Sequence, residues 1–402
     1  MRILYLCHRI PYPPNKGDKI RAFHQIRAMS EKHEVDVFTL IDDPEDLNHT
    51  AELKKYCRRL TVARVHPPLA RLRALSSLFS HKPMTLPYFH SAELAAEVRN
   101  SLRGETYDRI FVYCSAMAQY IEAVDKIPVV IDFVDVDSDK WMQYANSSRF
   151  PFSVVYRREG RLLRDLEQKI CGKAACAVVS TEREAKLLRE IAGPAIVHAI
   201  PNGVDTAYFD SAIVPPEKTL PTIVFTGDMS YFPNQEAATY FAREVLPLIR
   251  RSITQARFII VGRNPSRSVQ RLKEVDGVEV TGFVPDVRTY LAQAHVAVAP
   301  FSIAAGIQNK ILEAMSYGLP VVATSRATQG LSAVVAELVD TADTTEAMAT
   351  SVVRLLLHPD SASRRGLLAR ERVAAEYRWD NTLNRLLSLL TGQPLEVAIS
   401  ST

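Results

Sequence analysis

Short, solid apolar runs alternate along this chain with longer stretches in which apolar residues return every three or four positions. The solid runs read as strands buried on both faces, the periodic stretches as helices with one buried side. The pattern predicts strands at 3–7, 35–40, 60–65, 109–113, 129–132, 176–180 and 196–200, with helices near 20–30, 91–102, 153–171 and 182–191. The rhythm then restarts, with strands at 222–226, 258–261, 278–281, 296–300 and 321–324 and helices at 234–250, 286–292, 308–317 and 344–357. Between the two series lies DSAIVPPEKTLP, residues 210–221, whose three prolines mark a linker. Alternation of this kind on both sides of a linker predicts an α/β protein of two Rossmann-like domains, 1–209 and 222–376. Open parallel sheets bind ligands beyond the carboxyl ends of their strands, so the domains are expected to face each other across a cleft for two substrates. A last helix at 377–391 presents Trp379, Leu383, Leu386, Leu387 and Leu390 on one face and is expected to pack back on the first domain.

Composition narrows the class. The chain has 402 residues, 47% of them hydrophobic, enough for two cores. A net charge of only +4 argues against a dedicated nucleic-acid binder. The charge is unevenly spread. From Leu53 to Ala92 there is no acidic residue, while Lys54, Lys55, Arg58, Arg59, Arg64, Arg71, Arg73 and Lys82 are basic and are interleaved with Leu69, Leu72, Leu75, Leu78 and Phe79. Such a stretch suits an anionic membrane face or an anionic acceptor. The plainer reading is a solvated helix face with its leucines turned into the core. Five cysteines, Cys7, Cys57, Cys114, Cys171 and Cys176, form no CxxC pair and read as thiols of a reducing compartment. No apolar run reaches the roughly 18–20 residues that span a bilayer, and the opening MRILYLCHRI suits a first strand better than a signal peptide. The expected location is the cytoplasm, with contact to the inner face of the plasma membrane open.

Residues 306–324, GIQNKILEAMSYGLPVVAT, carry the most chemistry. Gly306 opens a helical segment, and Lys310 and Glu313 share one face of it near its N-terminus. Gly318 and Pro320 stop it before a buried strand. A helix N-terminus with a lysine suits phosphate, and a carboxylate there can accept two hydrogen bonds from a diol. Together they describe a nucleotide pocket. Four further places belong to the same expectation. After the first strand, HRIPYPPNKGDKIR brings Gly17, Lys16, Lys19 and Arg21 to a strand end; it is neither GxGxxG nor a Walker loop. After the strand at 129–132, DFVDVDSDKW supplies four aspartates. Asp132 or Asp135 is expected to face the cleft as an acid or base, a Mg²⁺-binding set being the alternative, while Asp137 or Ser138 caps the next helix. In IPNGVD, Asn202 and Gly203 form a tight turn. In the second domain Gly227, Gly262 and Gly282 follow successive strands, which suggests close backbone approach to one ligand, and Arg263 is placed to pair with phosphate.

PNGVD, Gly227, VTGFVPD at 280–286 and KILEAMSYGLPVVAT, in this order and spacing, resemble the retaining nucleotide-sugar glycosyltransferases of family four, which have two Rossmann domains in the GT-B arrangement. NKGDKIR, DFVDVDSDKW, FTGDMSYFPN and GIQNKILEAM look more narrowly like the sugar transferases of PEP-CTERM/exosortase exopolysaccharide loci. The resemblance implies that Glu313 holds the ribose hydroxyls of a nucleotide diphosphate sugar. It implies that Lys310 and the amides after Gly306 hold the diphosphate. The Gly17 loop would close over the donor, and Asp132 or Asp135 would lie near the reacting sugar carbon. It also implies transfer of a hexose to a glycan or lipid-linked acceptor, without a metal or other cofactor. Two departures stand out. Ala305 occupies the place of a glutamate that many relatives carry eight residues before Glu313, and the narrower group is expected to carry arginine at the places of both Ser302 and Ala305. GDMSYFPN lacks the usual Arg and Lys, so phosphate binding leans on Lys310 and Arg263. A nucleotide-sugar epimerase shares the architecture but calls for more acid/base residues than the motifs contain. A transferase-like binding protein with little turnover is the other alternative, made plausible by Ala305.

Overall fold

The computed structural model describes residues 1–14, 17–212 and 219–392. Two compact units divide them: Met1–Pro201 together with the chain from Leu383 onward, and Asn202–Thr382. The division falls at Pro201, ahead of the proline-rich stretch at 210–221 that was expected to mark it; 213–218 lie outside the described residues. The turn at Asn202 and Gly203 therefore belongs to the second unit.

The first unit is built on seven parallel strands: β1 (Arg2–Cys7), β2 (Glu34–Ile41), β3 (Arg59–Arg64), β4 (Arg109–Tyr113), β5 (Val129–Val134), β6 (Cys176–Val179) and β7 (Val197–Ala199). Their order is β3-β2-β1-β4-β5-β6-β7. Runs such as ILYLC and IFVY are buried throughout because helices cover both faces of the sheet. The second unit has six parallel strands: β8 (Thr222–Thr226), β9 (Arg257–Val261), β10 (Val278–Gly282), β11 (Val296–Ala299), β12 (Val321–Ala323) and β13 (Asp340–Thr341), ordered β10-β9-β8-β11-β12-β13. In both sheets the strand order reverses beside the first strand, between β1 and β4 and between β8 and β11. The crevice at such a reversal is where open α/β sheets take ligands.

The helix expected at 234–250 is three pieces: Phe232–Tyr240, a π-turn at Phe241–Val245, and Leu246–Ser252. Pro247 has no N–H to donate to the preceding turn, and the wider π-turn accommodates the loss. The helix Trp379–Thr391 buries Trp379, Leu383, Leu386 and Leu390. From Leu383 on it is part of the first unit, where Arg109 Nε donates to the Leu390 carbonyl at 3.0 Å. Among the described residues no helix is long and apolar enough to cross a membrane.

Candidate functional site

The helix Asn309–Tyr317 follows β11, and so begins at the strand reversal of the second sheet. Gly306 lies three residues before it, in a left-handed turn with φ +59°. Gln308 precedes the first turn without capping it by a side-chain bond; its amide donates instead to the Ala305 carbonyl at 3.0 Å. The helix ends at Gly318, whose φ of +92° is a left-handed cap that suits glycine.

Lys310 and Glu313 lie on one side of this helix, both half-buried, and line one small cavity with Thr226 and Val224 of β8 and Ala297 and Ala299 of β11. Lys310 Nζ donates to Asn234 Oδ1 at 2.6 Å and stands 4.5 Å from the ring centres of both Phe225 and Phe301. Asn234 is held in turn by donating to the Asp228 carbonyl at 2.8 Å. The ammonium thus sits in an aromatic cage at the strand ends. Burial pushes Lys310 down to about 7, against the pull of the Glu313 carboxylate; burial likewise pushes Glu313 up to about 7, against the pull of Lys310. No hydrogen bond reaches the Glu313 carboxylate among the described residues, which leaves it an acceptor for a ligand.

Bare backbone completes this end of the sheet. A Cβ on Gly227 would come within 3.0 Å of Lys310 Nζ and 2.8 Å of Asn234 Nδ2. A Cβ on Gly262 would lie 1.6 Å from the Gly227 carbonyl oxygen. Gly262 is therefore fixed by the turn at Gly227, and through it by Lys310. We expect Gly262→Ala to destabilise the second unit by about 1–3 kcal/mol, read as a lowered Tm. An unchanged Tm would show that the Gly227 turn yields freely.

Other expected residues make contacts within the protein. Arg263 Nε donates to Asp228 Oδ2 at 3.0 Å, and the Arg263 carbonyl accepts from Met229 N at 2.9 Å, so it braces the turn after β8. Gly203 makes room for Trp379, whose ring would lie 2.5 Å from an added Cβ; its bareness serves packing. Its neighbour Asn202 does reach the site, donating to Asn309 Oδ1 at 2.9 Å on the first helical residue. Ala305 and Ser302 carry no charge, but Glu236 Oε2 accepts from Ser302 Oγ at 2.5 Å. A carboxylate thus stands beside the 302–306 loop, contributed by another helix.

The first unit corrects two expectations. Asp132 and Arg21 do not face a ligand: they are 0% and 1% exposed and bind each other, Arg21 Nε donating to Asp132 Oδ2 at 2.7 Å. Gln25 Nε2 donates to the same oxygen at 2.5 Å, and Val134 N to Oδ1 at 2.9 Å. A guanidinium and a carboxylate on facing inner surfaces leave water only as a pair. Lys19 is buried in the same way against Asp46, 2.6 Å away. Gly17 is the exposed first residue of the helix Gly17–Ser30; Lys16 lies outside the described residues.

Asp135 is placed differently from Asp132. It is half-buried just past β5, accepts from Ser180 Oγ at 3.2 Å, and burial raises its pKa. Val134 before it has φ +68°, and Asp135 N donates back to the Phe133 carbonyl at 2.9 Å. That is a tight turn a β-branched residue adopts only under strain. Glu184, buried and lifted to about 8 by burial and by Asp135, accepts from Val136 N beside it. One group was missed in the sequence. His8 follows β1 at the strand reversal, 3.4 Å from Asp18 Oδ2 and 3.4 Å from Cys114 Sγ. Burial works against its charge, but Cys114 and Asp18 outweigh it and raise His8 to about 10. The available signal was position alone, a histidine directly after the first strand.

Residues 19–203 match the family described as glycosyl transferase 4-like domain, and residues 220–358 the family described as glycosyl transferases group 1. With two parallel-sheet domains in this order, the chain is a glycosyltransferase of the GT-B class. Over 171 residues it is 34% identical to one of the subunits of Arabidopsis thaliana phosphatidylinositol N-acetylglucosaminyltransferase, a match covering 40% of this chain and only 35% of that relative. In fold it is similar to sucrose-phosphate synthase from Thermosynechococcus elongatus, with a TM-score of 0.72 and 19% identity over 98% of both chains. It is also similar to Anabaena HepE in complex with UDP-glucose, with a TM-score of 0.67 and 16% identity over 98% of this chain and 100% of that one.

Proposed function

We propose that the chain transfers a hexose from a nucleotide diphosphate sugar to a lipid-linked or glycan acceptor, with retention and without a metal, in the synthesis of a cell-surface or exported polysaccharide. The observation that carries the donor half is the caged Lys310 beside Glu313 at the strand reversal, next to backbone stripped of side chains at Gly227 and Gly262. Glu313 takes the ribose hydroxyls. Lys310 and the uncapped amides of its helix offset charge on the leaving diphosphate. Asp135, with its pKa raised by burial, is the group we assign to the acceptor hydroxyl's proton. Two of the similar proteins support the reading: HepE is seen with UDP-glucose, and the Arabidopsis relative is named for phosphatidylinositol. Glu236 supplies a carboxylate near the place where Ala305 has none, which favours turnover over mere binding.

UDP and UDP-glucose are the probes. Glu313→Gln is expected to weaken UDP binding in calorimetry by about 1.5–3 kcal/mol, the worth of charge-assisted hydrogen bonds. An unchanged Kd would remove Glu313 from the pocket. In an assay with membrane extract and chelator present, release of UDP from UDP-glucose is expected. Tight binding with no release would mark a binding protein, and an altered sugar without release an epimerase.

A further inference from the structure

The leucines at 69–78 are not core residues. The helix Pro67–Ser76 buries only Ala70, and Leu69, Leu72 and Leu75 stand in solvent, followed by Phe79 at 96% exposure. A surface helix normally turns such residues inward. A second segment, remote in sequence, does the same: Phe150 is 82% exposed, with Phe152 and Val154 also outside. The two meet. They flank one cavity of about 630 Å³, whose walls include Leu78, Phe79, Val154, Arg157, Arg161 and Leu162. Arg158 fastens the segments together by donating to the carbonyls of Ser77, at 2.9 Å, and Ser80.

The charges lining this cavity, Arg157, Arg158 and Arg161, are all positive. Residues 53–92 contain no acid, and residues 140–164 contain a single one, Glu159. Glu159 is fully buried, accepting from Met84 N at 2.7 Å, Thr85 N at 3.0 Å and Thr85 Oγ1 at 2.9 Å, so its charge is turned inward. Arg71, Arg73, Lys82, Arg157, Arg161 and Arg164 remain exposed. We propose that this face of the first unit docks on an anionic phospholipid bilayer, its phenylalanines and leucines entering the interface and the cavity taking a lipid phosphate headgroup beside Arg157 and Arg161. Apolar side chains ringed by cations of one sign match that surface. A second copy of this chain would bring like charge against like. A nucleic acid would leave the aliphatic residues without use. The inference stands apart from the donor reading, because every residue it names is remote from Lys310 in sequence and lies in the other unit.

Vesicle flotation of the full chain tests it. Binding to phosphatidylglycerol-containing vesicles, absent with phosphatidylcholine alone and reduced by salt, is expected. Arg157→Glu with Arg161→Glu, and separately Phe79→Ser with Phe152→Ser, should each weaken binding roughly tenfold or more. Arg251→Glu with Lys273→Glu, exposed charges of the second unit, should leave it unchanged. All variants should keep the wild-type Tm and UDP-glucose affinity. Equal binding to both vesicle types, equal loss in the control variant, tighter binding to an oligonucleotide than to vesicles, or a dimer abolished by the same substitutions would each overturn the proposal. Flotation without UDP-glucose binding would sink the donor reading and leave the surface standing.

Discussion

Arg21→Met is expected to destabilise the first unit by about 3–5 kcal/mol, the usual cost of leaving one member of a buried ion pair without the other. Asp132 would keep only the Gln25 amide and the Val134 N–H as donors in a place without water. Denaturant unfolding followed at the first unit's transition measures this. Removing Asp132 as well, as Arg21→Met with Asp132→Leu, should recover part of the loss, because two apolar side chains need no partner. UDP-glucose affinity is expected to stay at its wild-type value in the folded Arg21→Met protein. A variant with unchanged stability and weakened donor binding would return Arg21 to phosphate duty and overturn the structural role.

The Arg21–Asp132 pair also marks the limit of what the sequence could say. Both residues lie beside strand ends in polar segments, which is where ligand-binding residues lie too. Nothing local distinguishes the two fates, because the partners are 111 positions apart. The central strands were legible because doubly covered strands are solid apolar runs; the edges β3 and β10 break the run with Thr61 and Glu279, and the two-residue edge β13 has none. The helix Pro359–Glu376 escaped notice for the opposite reason. Its buried stripe is Ala362, Gly366, Ala369 and Val373, small residues that leave a weak periodic signal. Yet that smallness lets it lie flush against the Lys310 helix: a Cβ on Gly366 would stand 2.0 Å from the Gly318 carbonyl. At the site itself, the spacing of Lys310 and Glu313 was readable from local helix geometry. The cage of Phe225 and Phe301, and the carboxylate that Glu236 brings to Ser302, were not, since each crosses between elements.

Lys310→Met is expected to weaken UDP-glucose binding by about 1.5–3 kcal/mol, roughly ten- to a hundredfold in Kd. Uridine, which has no phosphate, should lose far less. The sharper test is pH. Lys310 must be protonated to meet a diphosphate, and burial has brought it to about 7. Above that value binding must take up a proton, so Kd should rise by about tenfold per pH unit. Glu313, lifted by burial to about 7, must be ionised to accept from a diol, so binding should also weaken as pH falls below that value. The wild-type profile is therefore a narrow bell near neutrality, measured with UDP-glucose because its diphosphate diester holds its charge across the range. Lys310→Met should flatten the alkaline limb and Glu313→Gln the acid limb. Lys310→Arg should flatten the alkaline limb while keeping more affinity, since a guanidinium does not lose its proton here. Equal losses for uridine and UDP-glucose in Lys310→Met would make Lys310 a packing residue of the cage. A bell that persists in Lys310→Met would show that some other group sets it.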